Sequence, residues 1–400
     1  MVNIRKVTDD TWWVGASDRR IGLFENIYPV PDGMAYNSYL IMDEKTCLMD
    51  GVDASVTGQY LENVAHVLAG KSLDYLVVQH MEPDHCAVIP VLLARYPGLK
   101  VVASAKAISM IGQFYGIDVS GSAIAVKEGD TLELGRHTLN FITAPMVHWP
   151  EVIMSYDSAT GALFSADAFG SFGALSGNIF ADEVNWERDI LDEARRYYVN
   201  IVGKYGAQVA AVLKKASALE IKMLLPLHGH IWRENLETII NRYETWAGYI
   251  PEEDSAAIFY GSIYGNTANA AEILAVRLAE KGVKNIAVYD TSKTDTSEML
   301  AAAFKYKVLV FASATYNGEI FDPVNHLLTD IKNHNLSGRT VGIIDNGTWA
   351  ATAGKRIIET VGAMKNMTVL EPVVSIKSAV DTDTHLKLIE LADAIKNCLS

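Results

Sequence analysis

Cysteine is scarce in this chain of 400 residues. Cys47, Cys86 and Cys398 lie far apart, are odd in number and form no C-x-x-C pair. That excludes a disulfide framework and any module that holds iron on paired cysteines. All three are expected to be small buried hydrophobes in a reducing cytoplasm. Positive charge is short as well. Lys and Arg total 34 against 48 Asp and Glu, a formal net charge of -14. Such a balance argues against nucleic acid or an anionic membrane as partner. No apolar run approaches the roughly 18 residues of a membrane span. The opening MVNIRKVTDDTWWVGASD has neither an apolar core nor a small-residue cleavage pattern, so no secretory signal is expected.

What is present is ample core material: 50% of the residues are hydrophobic and 20% charged. The length predicts two domains. Residues 1–250 alternate short β-like runs such as SYLIM, DYLVVQ, HTLNFITA, VIMSY, ALFSA and IKMLLPLH with helical stretches, among them DEARRYYVNIVGKYGAQVAAVLKKAS. The stretch GYIPEEDS (248–255) combines Gly, Pro and acids without periodicity and is the expected boundary. From 254 to 400 the pattern becomes strict strand–helix alternation: AAIFYGS, NIAVYD, VLVFASATYN and TVGIIDNG, with helices between. This is the signature of an α/β doubly wound parallel sheet, whose ligands sit at the carboxyl ends of the strands.

The densest chemistry is QHMEPDH (79–85), which follows the apolar run Leu76-Val77-Val78 and packs His80, Glu82, Asp84 and His85 into six positions. Three more ligand-type residues fall at the ends of predicted strands: His148 in APMVHWPE, Asp167 in SADAFG and His228 in PLHGH. One mouth of a sheet can collect all of them. Four imidazoles and three carboxylates are too many for one tetrahedral zinc and suit two ions with a carboxylate bridge. Three carboxylates and a bridging hydroxide would neutralise two divalent cations. Mixed nitrogen and oxygen coordination with open positions favours iron or manganese over zinc. Taken singly, His148, Asp167 or His228 reads better as an ordinary surface histidine or buried polar residue; the crowding at 80–85 does not.

A second site is expected at GSIYGNT (261–267), between a strand and a helix. There, backbone N–H groups at the helix N-terminus favour an anion, and Ser262, Ile263, Tyr264, Gly265, Asn266 and Thr267 supply a hydroxyl-rich loop without lysine. The pattern G-x-x-x-x-G-K-[ST] is missing, which disfavours a triphosphate and leaves a monophosphate. Two later strand ends join it: Ala314, Thr315, Tyr316, Asn317 and Gly318, and then Asn346, Gly347, Thr348, Trp349 and Ala350. Tyr316 or Trp349 can pack on a flat aromatic ring system. His66, His137, His326, His334 and His385 have no ligand partner by spacing and are expected to be structural or solvated. His230 is expected to line the first site without ligating, and the hydroxyls of Tyr197 and Tyr198 are candidates to border it.

H-x-H-x-D-H after a strand is the mark of the metallo-β-lactamase fold. Here Glu82 replaces the second histidine, and with HWP, SADAFG and HGHIWR the chain resembles the flavodiiron proteins over essentially its whole length. The resemblance implies a metallo-β-lactamase-like αββα sandwich followed by a flavodoxin-like domain binding FMN. It also implies a non-haem di-iron centre. In it, Glu82 and His148 would bind one iron, Asp84, His85 and His228 the other, and Asp167 would bridge; in some members water takes the place that His80 matches. The implied activity is reduction of dioxygen to water, of nitric oxide to nitrous oxide, or both, with electrons from a separate donor such as rubredoxin. A head-to-tail homodimer or dimer of dimers would bring the flavin of one subunit to the irons of the other, and Trp149, beside His148, would then lie near that flavin across the interface. The segment 23–41 departs from members that read FHG near Glu25-Asn26, a region that borders the substrate pocket in relatives. A binuclear zinc hydrolase with a flavodoxin appendage, or a plain FMN electron carrier, are the rival readings.

Overall fold

The structure is a computed structural model that describes residues 2–399. The chain divides into two compact units, Met1–Glu244 and Thr245–Ser400. The division falls inside helix Leu236–Ala247, ahead of the segment 248–255 where composition alone suggests the boundary.

The first unit is built on two sheets. Seven strands form one: Arg5–Lys6, Thr11–Trp13, Tyr39–Met42, Thr46–Met49, Tyr75–Val78, Lys100–Ser104 and Ala123–Val126, in that spatial order. Five form the other: Thr131–Glu133, Thr138–Thr143, Ile153–Asp157, Ala162–Phe164 and Met223–Leu225. The period of two along a strand decides how they pack. Ile41, Cys47, Met49, Val77 and Val102 from the first sheet share one core with Leu139, Phe141, Ile153, Phe164 and Leu225 from the second. Their neighbours Leu40, Leu48, Leu76 and Val101 are just as buried, so the first sheet is covered on both faces, as a sandwich flanked by helices requires. Helix Ala105–Tyr115 is one of those covers. Ser104 caps it by accepting from the Ala107 amide, and Gly116 ends it at φ 66.

The long helical stretch expected over 192–217 is not one helix. Leu191–Tyr197 runs into a wide π-helical turn at Tyr198–Val202 and a tight turn at Gly203–Tyr205 before Gly206–Ala216 resumes. Turns of this kind collect near functional sites, and Tyr197, at the end of the first segment, packs its ring 5.5 Å from that of His228.

The second unit is a doubly wound sheet. Its strands Ala287–Asp290, Glu253–Gly261, Tyr306–Tyr316 and Thr340–Asn346 lie side by side and all parallel, with Thr368–Val369 and Val374–Ile376 continuing the edge. That is the flavodoxin-like order, with the switch point between the first and third strands in sequence. Arg339 is buried in this unit and donates to the carbonyls of Ala303, Phe304, Tyr249 and Ser337, which closes the end of helix Thr296–Lys305.

Candidate di-metal centre and flavin pocket

Four strand ends of the first unit deliver the ligand-type side chains. His80 lies two residues beyond Tyr75–Val78. Glu82 is the N-terminal cap residue of the short helix Pro83–Cys86, and Asp84 and His85 lie in that helix's single turn. Pro83 at the first helical position turns the chain at once, which brings Asp84 and His85 back over the strand end. His148, Asp167 and His228 follow Thr138–Thr143, Ala162–Phe164 and Met223–Leu225. The connecting loops are strained: Met146, Ala166 and Phe169 take φ of 64, 50 and 70 although none is glycine.

The seven residues come together as two groups. His80, Glu82, His148 and Asp167 form one and Asp84, His85 and His228 the other, with ligand atoms within 4.8 Å of one another in each group. Asp167 faces both. One of its carboxylate oxygens is 3.2 Å from His80 Nε2 and 3.4 Å from His148 Nε2; the other is 3.2 Å from His85 Nε2 and 3.6 Å from His228 Nε2. The resemblance implies the same bridge and the same division of the other residues, with the place of His80 left open; the geometry brings all seven expected residues to one place and sets His80 with Glu82 and His148.

Only Glu82 finds partners within the cluster, its Oε2 lying 3.2 Å from His80 Nε2 and 3.0 Å from His148 Nε2. Both oxygens of Asp84, both of Asp167 and both ring nitrogens of His85 are buried without a hydrogen-bond partner, although oxygens and nitrogens approach to 3.2 Å. Their lone pairs converge on shared points instead of on each other's protons. Buried polar groups left unpaired are costly, and a cation at each point removes the cost. The residues present therefore fit two metal ions. Three carboxylates with four imidazoles fit hard or borderline ions such as iron.

The charge balance without metal measures the same mutual attraction. His148 loses by burial but gains more from Asp167 and Glu82, which push it up to about 9. Burial raises Glu82 too, yet His148 and His80 outweigh it and hold its carboxyl far below the usual range. Asp167 is driven down in the same way by His80 and His85.

Outer partners orient the imidazoles, and sequence reasoning did not anticipate them. Buried Glu151 accepts from His80 Nδ1 at 2.8 Å and from the Met81 amide at 3.0 Å, so the lone pair of His80 Nε2 points into the cluster. Burial raises the Glu151 carboxyl, but the His80 bond prevails and keeps it below the ordinary value. His228 donates from Nδ1 to the Ala35 carbonyl at 2.7 Å, which frees its Nε2 for the centre. Asp50 accepts from the Gln79 amide at 2.7 Å and from its side chain at 2.9 Å, and so anchors the start of the motif; burial pushes its carboxyl up to about 6. The one local signal for Glu151 is its place three residues after His148. His230 is buried and pushed down to about 4 by desolvation, against the opposing charge of Glu183. Trp149 sets its ring edge-on at 5.1 Å from His80.

An open pocket of about 490 Å³ borders the cluster, with Phe24, Glu25, Asn26, Tyr36, Asp53, Glu82 and Asp84 in its wall. Glu25 sits at φ 49, and although the residue as a whole is exposed, its carboxyl group lies against Glu82. Desolvation first and Glu82 second push it up to about 8.

The second unit carries a cleft of about 650 Å³ at the carboxyl ends of its strands, lined by Ser262, Ile263, Tyr264, Asn266, Thr267, the run 314–318, the run 346–350 and Ser378. Every residue expected from the three loops is there except Gly265. That residue instead turns the chain into helix Asn266–Glu280 at φ 93, its amide donating to Ser262 Oγ at 3.1 Å. Ser378 is an addition. Asn346 ties the loops together, donating to Thr267 Oγ1 at 3.2 Å and to the Ser378 carbonyl at 3.1 Å. Tyr264 and Trp349 are 93% and 91% exposed at the rim, an arrangement that leaves both rings free to cover a flat ligand. A neutral, hydroxyl-rich loop at a helix N-terminus fits the single phosphate of FMN.

Comparison with known proteins agrees with both halves. Residues 34–229 match the ODP family beta lactamase and residues 258–390 match Flavodoxin. The anaerobic nitric oxide reductase flavorubredoxin of Aliivibrio salmonicida is 32% identical over 352 residues, covering 86% of this chain and 69% of that protein. Among solved structures, rubredoxin:oxygen oxidoreductase from Desulfovibrio gigas has a TM-score of 0.91 at 27% identity, covering 98% of each chain. A flavoprotein from Thermotoga maritima gives 0.90 at 26%, again over 98% of each. The chain belongs to the flavodiiron protein family. Its architecture is a metallo-β-lactamase-like sandwich followed by a flavodoxin-like unit. Among the described residues, no helix is long and apolar enough to cross a membrane.

Proposed function

We propose that this protein is a flavodiiron oxidoreductase that reduces dioxygen to water, nitric oxide to nitrous oxide, or both. The observation that carries the reading is the cluster of seven ligand side chains, six of them buried and the half-buried seventh, Glu82, standing where a zinc hydrolase of this fold has histidine. A carboxylate there adds negative charge and a harder donor, which supports iron through its oxidised state. His80, Glu82 and His148 would hold one iron, Asp84, His85 and His228 the other, and Asp167 both. When bound, the iron pair supplies electrons and open coordination positions for a diatomic gas, and FMN in the cleft of the second unit relays electrons singly from an outside donor.

The chain's own residues do the rest. Glu151 and the Ala35 carbonyl hold the imidazoles of His80 and His228 with the lone pair inward. Phe24 and Tyr36 pack edge-on against His228 and hold its ring in place. The open pocket beside Glu25 offers protons a polar route. We further propose rubredoxin as donor, a head-to-tail homodimer or dimer of dimers to bring flavin and irons within tunnelling range, and a cytoplasmic location, which three free cysteines support.

The test is to purify the protein without added metal, count iron, zinc and FMN per chain, and follow anaerobic nitric oxide and dioxygen consumption with reduced rubredoxin. About two irons and one FMN with turnover of either gas are expected; two zincs, or flavin without iron, would refute the reading. Glu82→His is expected to lose reductase activity and shift the metal content towards zinc. Unchanged iron and turnover in that variant would sink the role given to Glu82.

A further inference from the structure

A second space lies behind the loops that carry His148 and Asp167. Val147, immediately before His148, and Ala168 and Phe169, immediately after Asp167, line a small cavity together with Leu163 of the second sheet and Val209 and Val212 of helix Gly206–Ala216. The two loops thus border the ligand cluster on one side and this cavity on the other. Its free wall is entirely apolar. The hydroxyl of Tyr243, which also reaches it, is committed to the Phe169 amide. The centre of a water-sized sphere can move through about 10 Å³ there, room for one very small molecule. A buried water needs two to four polar partners, and this wall offers none, so the space is dry and suited to a small neutral guest.

The open pocket on the far side of the cluster is the opposite in character: about 490 Å³, with Glu25, Asp53, Glu82 and Asp84 in its wall. Water, protons and polar products belong there. Dioxygen and nitric oxide are neutral, nearly apolar and about the size of the small cavity. They gain nothing from carboxylates and are favoured where water is excluded. We propose that the cavity behind Val147 and Phe169 is a docking site for a neutral diatomic gas, which holds the substrate one loop's thickness from the ligand cluster. The assignment rests on the functional reading above and adds a route of supply to it.

Xenon is the probe, because it enters dry apolar cavities and its binding needs neither iron nor flavin turnover. Crystals of the protein as isolated, pressurised with xenon, are expected to show an anomalous peak within this cavity. Val212→Leu, which narrows it from the helix side, should weaken that peak. The same variant should raise KM for the gas several-fold while kcat at saturating gas stays unchanged. Val212→Ala, which enlarges the cavity and guards against a variant that simply fails to fold, should strengthen the peak. A wild-type protein with no xenon in the cavity would overturn the proposal. So would a Val212→Leu variant that loses xenon yet keeps its KM. Xenon bound in a protein that reduces neither gas would refute the function proposed above and leave the gas site standing.

Discussion

Replacing Glu151 isolates the part of the site that no motif contains. Its Oε1 takes both the His80 Nδ1–H, at 2.8 Å, and the Met81 amide, at 3.0 Å, while Oε2 is buried without a partner. Glu151→Gln therefore keeps one oxygen for both donors, removes the charge and sets an amide NH2 where Oε2 has no partner. A hydrogen bond to a charged group contributes about 1.5–3 kcal/mol and a neutral one about 0.5–1.5, so about 1 kcal/mol is lost from the orientation and basicity of His80. That corresponds to about fivefold weaker metal binding. Glu151→Leu removes both acceptors and leaves the His80 Nδ1–H unpaired in the core. The ring then turns or exchanges its proton, and the loss grows to about 10- to 100-fold. Because His80 groups with Glu82 and His148 and not with His85 and His228, the effect should fall on one iron. Chelator competition followed by Mössbauer spectroscopy separates the two ions. The expected order is wild type, Gln, Leu, with the second iron retained throughout. Equal loss of both irons, or no loss in the Leu variant, would refute the argument that His80 is a ligand held in register by Glu151.

Gly229 sits at φ 72, and a Cβ there would lie 2.3 Å from Ser171 Oγ and 3.0 Å from its amide nitrogen. Gly229→Ala should cost about 1–3 kcal/mol and displace His228, read as a lower melting temperature with loss of the iron proposed for Asp84, His85 and His228; normal melting with full iron would contradict it. Asn346→Ala removes the bonds that tie Thr267 and Ser378 together and should weaken FMN binding about tenfold or more, measured by flavin fluorescence titration. An unchanged Kd would show that the loops hold their shape without it. Buried His137 contacts Asp157 at 2.8 Å and Asp10 at 3.0 Å; burial opposes its charge, but the two carboxylates prevail and raise its pKa. Its contribution to stability is therefore complete below the ordinary histidine value of about 6.5 and is lost as pH rises through the raised folded value. Asp157 moves oppositely, held down mainly by His137 against the effect of burial, so its contribution is lost in acid. Melting temperature against pH should decline on the alkaline side in the wild type and flatten in His137→Gln; parallel curves would refute the linkage.

Much of this protein is written in runs short enough to read. The apolar run at 76–78 sets a strand and Pro83 turns the chain at its end, so four ligand-type side chains within six residues gather at one strand end. Strand–helix alternation after residue 250 dictates a parallel sheet, and with it the edge at which GSIYGNT, SATYNG and NGTWAA meet. Those features depend on local periodicity and on steric rules that act over a few residues.

What only the tertiary structure decided is long-range. Glu151 reaches His80 across 71 positions and the Ala35 carbonyl meets His228 across 193, and no spacing rule connects them. The helix expected over 192–217 breaks at Tyr198–Val202, in a segment packed between His228 and Tyr243. Glu25 comes to the mouth of the cluster through a left-handed turn, and Val147 and Phe169 enclose a dry cavity because their neighbours His148 and Asp167 face the other way. Sequence alone determined which side chains are available and roughly where along each strand they fall. Which nitrogen of each imidazole points inward, and what lies behind each loop, was settled by packing, since those depend on atoms brought close only when the two sheets close over their common core.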